Sequence, residues 1–282
     1  MAKSQPKRSA SRPKSTAKLP PVLAKFSRAL ASLDAPDFDS DTERAQELFY
    51  EALDARSAAK RRKLLEQALV LDPRNADVRL VLLDEQNPSP AARIDALRSI
   101  VADAADALGS DFEELAGQFW GFHETRPYMR ARQQLAAELH AAGRWDEAVS
   151  EYREMLALNP NDNQGLRYEL RPLLLAIGRL EDSRVLARSY PNDENYNAAF
   201  AWCRVLEYLL ANETDSAVNA LASARKVNPH LELYLNGRQR IPSDLPESYA
   251  PGGQDEAVCF AEPVRAAWSA HPQALQWLQR QG

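Results

Sequence analysis

MRARQQLAAELHAAGRWDEAVSEYREMLALNPND, residues 129–162, decides the fold of this chain. Leu135, Ala136 and Leu139 fall on one face of a first amphipathic helix, and Gly143 permits a turn. Trp145, Ala148, Tyr152 and Met155 then recur at helical spacing, predicting a second helix packed against the first. Asn159-Pro160 closes the unit, since proline cannot continue a helix. A helix pair of this size cannot bury its apolar face alone. It must stack on neighbours, and stacked pairs leave a groove lined by the first helix of each pair.

Working outward, the spacing recurs. Val22, Phe26, Leu30 and Leu33 predict a short amphipathic helix, followed by the acidic stretch DAPDFDSD. Ser40 and Glu43 form a capping-box signal for a helix bearing Ala45, Leu48, Phe49 and Ala52. Leu64, Leu65, Ala68 and Leu69 mark its partner, which stops at Asp72-Pro73. Asn75 can cap a helix through Gln86, and Ser89-Pro90 can start another to Leu108, ended by Gly109. Ser110 and Glu113 signal a further cap, before an aromatic-rich helix over EELAGQFWGFH. A third pair covers 163–190, turning at Gly178, with Leu180, Val185 and Leu186 in its second helix. A fourth covers about 194–229, carries Ala217, Leu221 and Ala224, and closes at Asn228-Pro229. IPSDLPESYAPGGQD, residues 241–255, is loop, and two helices with Trp268, Leu275, Trp277 and Leu278 follow.

This period resembles the tetratricopeptide repeat of about 34 residues. The expected fold is all-α: a tetratricopeptide-like α-solenoid, a right-handed superhelix of antiparallel helix pairs with a C-terminal helical cap. Its expected organisation is a basic tail over 1–21, a short leading helix and acidic linker over 22–41, repeats over 42–240, and the loop and cap over 241–282.

Composition agrees with that class. Hydrophobic residues make up 45% and charged residues 27%, enough apolar surface for an ordinary folded domain. Ten glycines and few β-branched runs argue for helix over sheet. No apolar run approaches a bilayer's thickness, and no apolar stretch follows the basic N-terminus, so neither membrane insertion nor a secretory signal is expected. A cytoplasmic location is the default. Cys203 and Cys259 lack metal-type spacing; buried free thiols are the preferred reading over a disulfide. The net charge of −5 hides an asymmetry. Lys3, Lys7, Arg8, Arg12, Lys14 and Lys18 give the first 21 residues a charge of +6, leaving 29 basic against 40 acidic residues elsewhere. Such a tail can contact nucleic acid, a ribosome or another acidic surface, or act as a solvated leader. Without interleaved aromatics the nucleic-acid signal is weak.

Four stretches carry a second resemblance: ALVLDPRNADVRLVL (68–82), LNPNDNQGLRY (158–168), KVNPHLELYLNGRQRIPSDL (226–245) and GGQDEAVCFAEPVRAAW (252–268). In this order they resemble the suppressor-of-tumorigenicity-seven family, particularly its compact bacterial-type relatives. The resemblance implies a tetratricopeptide-like fold without established enzymatic activity. Eukaryotic members carry hydrophobic N-terminal membrane segments where this chain has its basic tail, so membrane location does not carry over.

Function is therefore expected to be non-catalytic: a scaffold or adaptor binding a peptide or helix of another protein in the concave groove. Helical spacing places Arg130 and Gln133, then Tyr168, then Trp202, on successive inner faces, while Tyr168 and Trp202 have the competing reading of core filler, the preferred one for Trp202. Gln164, Arg167 and Tyr168 extend the surface from the NPNDNQGLRY loop, where Asp162 or Asn163 caps the next helix. Arg130 and Arg167 suggest an acidic partner, and Arg130, taken as solvated, is expected to matter little for stability. A chaperone-type carboxylate clamp needs Lys and Asn where Gln133 and Ala137 stand. No cofactor or metal is expected: His123, His140, His230 and His271 are scattered, and Pro251-Gly252-Gly253 lacks the Lys-Ser/Thr of a phosphate loop. Paired carboxylates such as Glu113-Glu114 and Asp146-Glu147 sit on helix first turns, where the dipole accounts for them. An enzyme whose site is invisible in sequence remains the last alternative.

Overall fold

Side-chain caps start the first helices of the computed structural model, which describes residues 40–281. Ser40, Ser57, Asn75 and Ser89 each accept a first-turn backbone N–H of the helix that follows, satisfying donors that have no intrahelical partner. The resulting helices are α1 (Asp41–Leu53), α2 (Ala58–Leu71), α3 (Ala76–Gln86) and α4 (Pro90–Leu108). The expected tail and leading helix lie outside the described residues, except for the last two positions of the linker.

The aromatic-rich helix expected after Gly109 does not form. Ser110 makes no capping bond, α5 (Asp111–Glu114) is a single turn, and Gly117 at φ +87° takes the chain out of helix. A 3₁₀ turn at Phe119–Gly121 follows, held by buried Thr125, whose hydroxyl is shared between the Phe119 and Phe122 carbonyls. The aromatics still pack beneath the strong repeat: Phe112, Phe119 and Tyr128 meet edge to face with centroids 5.2–5.9 Å apart.

The strong repeat forms α6 (Arg126–Ala141) and α7 (Trp145–Leu158). Ala148, Tyr152 and Met155 are buried as the spacing required. Trp145 is not: it opens α7 beyond the end of α6 and stays half exposed. The third pair is α8 (Arg167–Ala176) and α9 (Leu180–Ser189), where Val185 likewise faces outward. A short α10 (Asp193–Tyr196) leads into α11 (Ala198–Leu210) and α12 (Thr214–Val227). Their turn contains no glycine; Asn212 takes the left-handed conformation at φ +60°, which asparagine tolerates. The C-terminal part is α13 (Leu231–Leu235), α14 (Gln254–Ser269) and α15 (Pro272–Arg280). Helix pairs α1–α2, α3–α4, α6–α7, α8–α9 and α11–α12 make this an all-α, tetratricopeptide-like solenoid.

The C-terminal helices do not merely close the end of the stack. Helix α14 packs against α8, α11 and α13, lying on the inner face formed by the first helices of two successive pairs. Its Ala257, Phe260, Ala261, Val264, Ala267 and Trp268 are buried. The His271 ring nitrogen Nε2, just before α15, sits 2.8 Å from the Leu175 carbonyl at the end of α8. One buried carboxylate fixes this arrangement. Glu256 accepts hydrogen bonds from the Ala198 N–H at 3.0 Å, the Asn228 amide at 2.9 Å and the Gly252 N–H at 2.7 Å. Glu256→Ala would leave three donors without an acceptor in a dry interface. It should cost about 3 kcal/mol or more in chemical denaturation, and wild-type stability in that variant would show that α14 is held by apolar packing alone.

Candidate functional site

Three turn residues put the inner faces in register. Gly143, Gly178 and Asn212 all have positive φ, and Gln133, Tyr168 and Trp202 each stand at the same spacing ahead of one of them. By this spacing the three side chains hold equivalent positions ahead of their turns. Their environments differ because α14 covers two of the three.

Trp202 is wholly buried. Its indole N–H donates to the Asn228 carbonyl at 3.1 Å, and its ring lies 6.4 Å from that of Trp268 on α14. Trp202 is thus a core residue and is withdrawn from the open groove. Tyr168 is partly buried, with its ring 5.6 Å from Phe200 and 5.2 Å from Phe260 of α14. Burial pushes its hydroxyl above the ordinary tyrosine range.

Arg167 is the centre of a structural knot rather than a free cation. Its guanidinium donates to Asp162 at 2.8 Å and to Asp193, and lies 4.2 Å and 4.8 Å from the ring centroids of Tyr168 and Tyr190. Asp162 also accepts the Leu166 N–H at 2.8 Å and the Arg167 N–H at 3.0 Å, so the capping expectation holds for it. Burial raises the Asp162 carboxyl, against the pull of these hydrogen bonds.

Arg130 and Gln133 lie on the part of the inner face that α14 leaves open. Arg130 is committed all the same: Nε and Nη2 donate to the two oxygens of buried Asp77 on α3, at 2.7 and 2.5 Å. Gln46 of α1 donates to the same carboxylate at 3.0 Å. Neither arginine is free, so the basis for an acidic partner is gone. Gln164 donates its amide N–H groups to the Gln133 side-chain oxygen at 2.7 Å and the Met129 carbonyl at 3.3 Å, while its own Oε1 is buried without a donor.

Sequence reasoning missed Tyr50. Gln46, Tyr50 and Leu53 form one stripe of α1; Gln46 and Tyr50 lie beside the Asp77–Arg130 pair, and Tyr50 and Leu53 are about half exposed. It also missed Arg171, fully buried on the apolar face of α8, where it donates to the Phe200 carbonyl, Glu194 and Glu207. A charged residue inside the run RYELRPLLLA was the available signal. Cys203 is a buried free thiol, pushed up to about 12 by burial; Cys259 is also free but only partly buried. Among the described residues, no three His, Cys, Asp or Glu side chains are placed to hold a metal ion, and no helix is long and apolar enough to cross a membrane.

A family model described as tetratricopeptide repeat matches residues 139–201, from the end of α6 to the start of α11. Comparison with curated proteins gives no match. The fold and the matched repeats define the class of protein: a tetratricopeptide-like helical solenoid, a class of repeat that serves protein–protein interaction.

Two predictions follow the geometry. Arg130→Ala should destabilise the fold by about 2–3 kcal/mol in urea, because the Asp77 carboxylate would stay buried without its main partner; adding Asp77→Asn should recover part of the loss. The second concerns Glu169 on α8, whose carboxyl is raised by burial and by Glu262 of α14. A raised folded value means the native state binds protons that the unfolded chain releases, so stability falls as pH rises through that range. Glu169→Gln should therefore raise the melting temperature at neutral pH, and the gain should vanish as pH drops below the ordinary carboxylate range.

Proposed function

We propose that the protein is a non-catalytic interaction scaffold that grips a peptide or helix of another protein on the inner face of α1, α3 and α6. The observation that carries this reading is the position of α14. The inner face of α8 and α11 accommodates a helix of the chain's own, which supports reading the neighbouring inner face as a helix-sized groove. The neighbouring inner face has no helix over it among the described residues. It offers two half-exposed apolar side chains, Tyr50 and Leu53, and the partly exposed Gln133, whose side-chain oxygen accepts from Gln164 while its amide nitrogen can still donate. The Gln133 amide nitrogen can donate to a peptide carbonyl, while tyrosine supplies the large contact area typical of binding hot spots. Arg130 contributes as a fixed, neutralised part of the floor. Arg167 and Tyr168 set the wall where α14 begins.

The resemblance of four sequence stretches to the suppressor-of-tumorigenicity-seven family supports the same non-catalytic role. A cytoplasmic setting and a basic tail that takes no part in groove binding complete the proposal.

The test is capture of partners from native cell extract by the full chain. Tyr50→Ala with Gln133→Ala should weaken capture by at least about 2 kcal/mol, with an unchanged melting temperature, because both side chains are partly exposed. Deleting residues 1–21 should leave capture intact. Normal capture by the double variant, together with loss on deleting the tail, would move the function to the tail and refute the groove.

A further inference from the structure

The chain is electrically polarised. Residues 1–63 hold 14 basic against 8 acidic residues, and residues 64–282 hold 21 against 32. Within the described part of that basic end, the charge gathers at the start of α2. Arg56, Lys60, Arg61, Arg62 and Lys63 fall within eight positions, and all five are exposed. Arg62 reaches Glu66 at 3.1 Å, in a pair whose side chains are 70% and 62% exposed. Arg56, Lys60, Arg61 and Lys63 form no ion pair among the described residues. The neighbouring acids do not balance the cluster. Over residues 51–66 the acids are Glu51, Asp54 and Glu66, and Glu51 already accepts from Arg44 at 3.4 Å.

Nothing in the fold requires these cations. Helix α2 is fixed by buried Leu64, Leu65 and Ala68, and by the Ser57 hydroxyl, which accepts the Lys60 N–H at 3.1 Å. The first turn of a helix carries partial positive charge, so Lys60 and Arg61 meet repulsion there rather than support. Lys60 and Lys63, three positions apart on one helix, repel each other as well. The cluster therefore works against the free fold, and a polyanion laid across it would relieve that repulsion. As the second helix of its pair, α2 stands on the side of the solenoid away from the groove.

We infer that the start of α2 binds the phosphate backbone of a nucleic-acid duplex. Three arginines and two lysines on one exposed turn and a half can neutralise several phosphates without reading a base. Helix α2 has no aromatic side chain on which an unpaired base could stack, which favours a duplex over a single strand. It also lacks an apolar face beside the cluster to enter a lipid surface: its one large exposed apolar residue, Val70, stands two turns beyond Lys63. The acidic remainder of the chain repels the same duplex and so turns the basic end toward it. This surface lies apart from the inner groove and does not rest on that reading.

The experiment is fluorescence anisotropy of the full chain with labelled duplex DNA and duplex RNA of mixed sequence, over about 50–200 mM salt. Two unrelated sequences should bind alike, with the logarithm of the binding constant falling linearly against that of salt. Combining Arg56→Gln, Lys60→Gln, Arg61→Gln and Lys63→Gln should weaken binding about tenfold or more at the low-salt end and flatten the slope by about three to four. The four side chains are exposed and repel one another, so the melting temperature should not fall. Combining Lys226→Gln, Arg238→Gln, Arg240→Gln and Arg265→Gln removes the same charge from exposed positions elsewhere and should leave affinity and slope at the wild-type level. Tyr50→Ala with Gln133→Ala should also leave duplex binding unchanged, which keeps this surface distinct from the groove. Preference for one duplex identifies DNA or RNA as the source of the backbone, and either supports the site. Absence of binding, equal loss in the two quadruple variants, or binding to phosphatidylserine vesicles as tight as to either duplex would overturn it.

Discussion

The three hydrogen bonds into Glu256 determine which parts of this solenoid are available. They tie the start of α14 to the first residue of α11, to the end of α12 and to the loop that delivers the helix. With that carboxylate seated, Phe260, Val264 and Trp268 must lie against α8 and α11, and the inner face there becomes interior. A buried carboxylate whose donors are all present is tolerated, whereas one missing a donor is not. The arrangement is therefore specific as well as stabilising. It places α14 on the inner face in one register and leaves the corresponding face of α6 open.

Periodicity made the helix pairs legible because it is a local property. Gly143 and Gly178 announced their turns, Asn159-Pro160 and Asn228-Pro229 announced the ends, and the capping residues of α1, α3 and α4 stood where the helices begin. The Asn212 turn carried no glycine but was bracketed by its repeat. Failures came where the pattern was asked to speak about distant contacts. The spacing put Trp202 on the inner face with core filler as its preferred reading, and its burial depends on a helix delivered by the loop over residues 236–253. Arg130 looked solvated because its partner Asp77 is 53 positions away. The aromatic helix failed for a local reason, Gly117, that competed with a capping signal and won.

The stretches that carried the family resemblance prove to hold much of the buried polar framework. Asn75 and Asp77 lie in the first, Asn159 and Asp162 in the second, Asn228 in the third and Glu256 in the fourth, all buried. Each caps a helix, closes a turn or pairs across helices. Such residues are hard to replace, since a partial substitution leaves donors or a charge unpaired. Motifs of this kind report how the solenoid is locked. They say little about what it holds, which is why the open stripe of Gln46, Tyr50 and Leu53 had no motif to announce it.

Charge places a further constraint on function. Arg130, Arg132, Arg167 and Arg171 all stand on first helices of the pairs, and each is matched by one or more carboxylates. A guanidinium held by fixed carboxylates gives orientation and little net field, so long-range attraction to a partner cannot come from the inner face. Recognition there must rely on shape, amide hydrogen bonding and the ring of Tyr50. In the α9–α11 cleft Glu194 and Glu207 stand among the arginines on the wall, and Glu181 and Glu213 pair with Arg188 and Arg184 at the exposed rim. Rim pairs exchange with solvent and ligands at little cost. The same residue type is therefore paired in both places, buried around α6 and α8 and open to exchange at the rim beside α9, according to where its carboxylates stand.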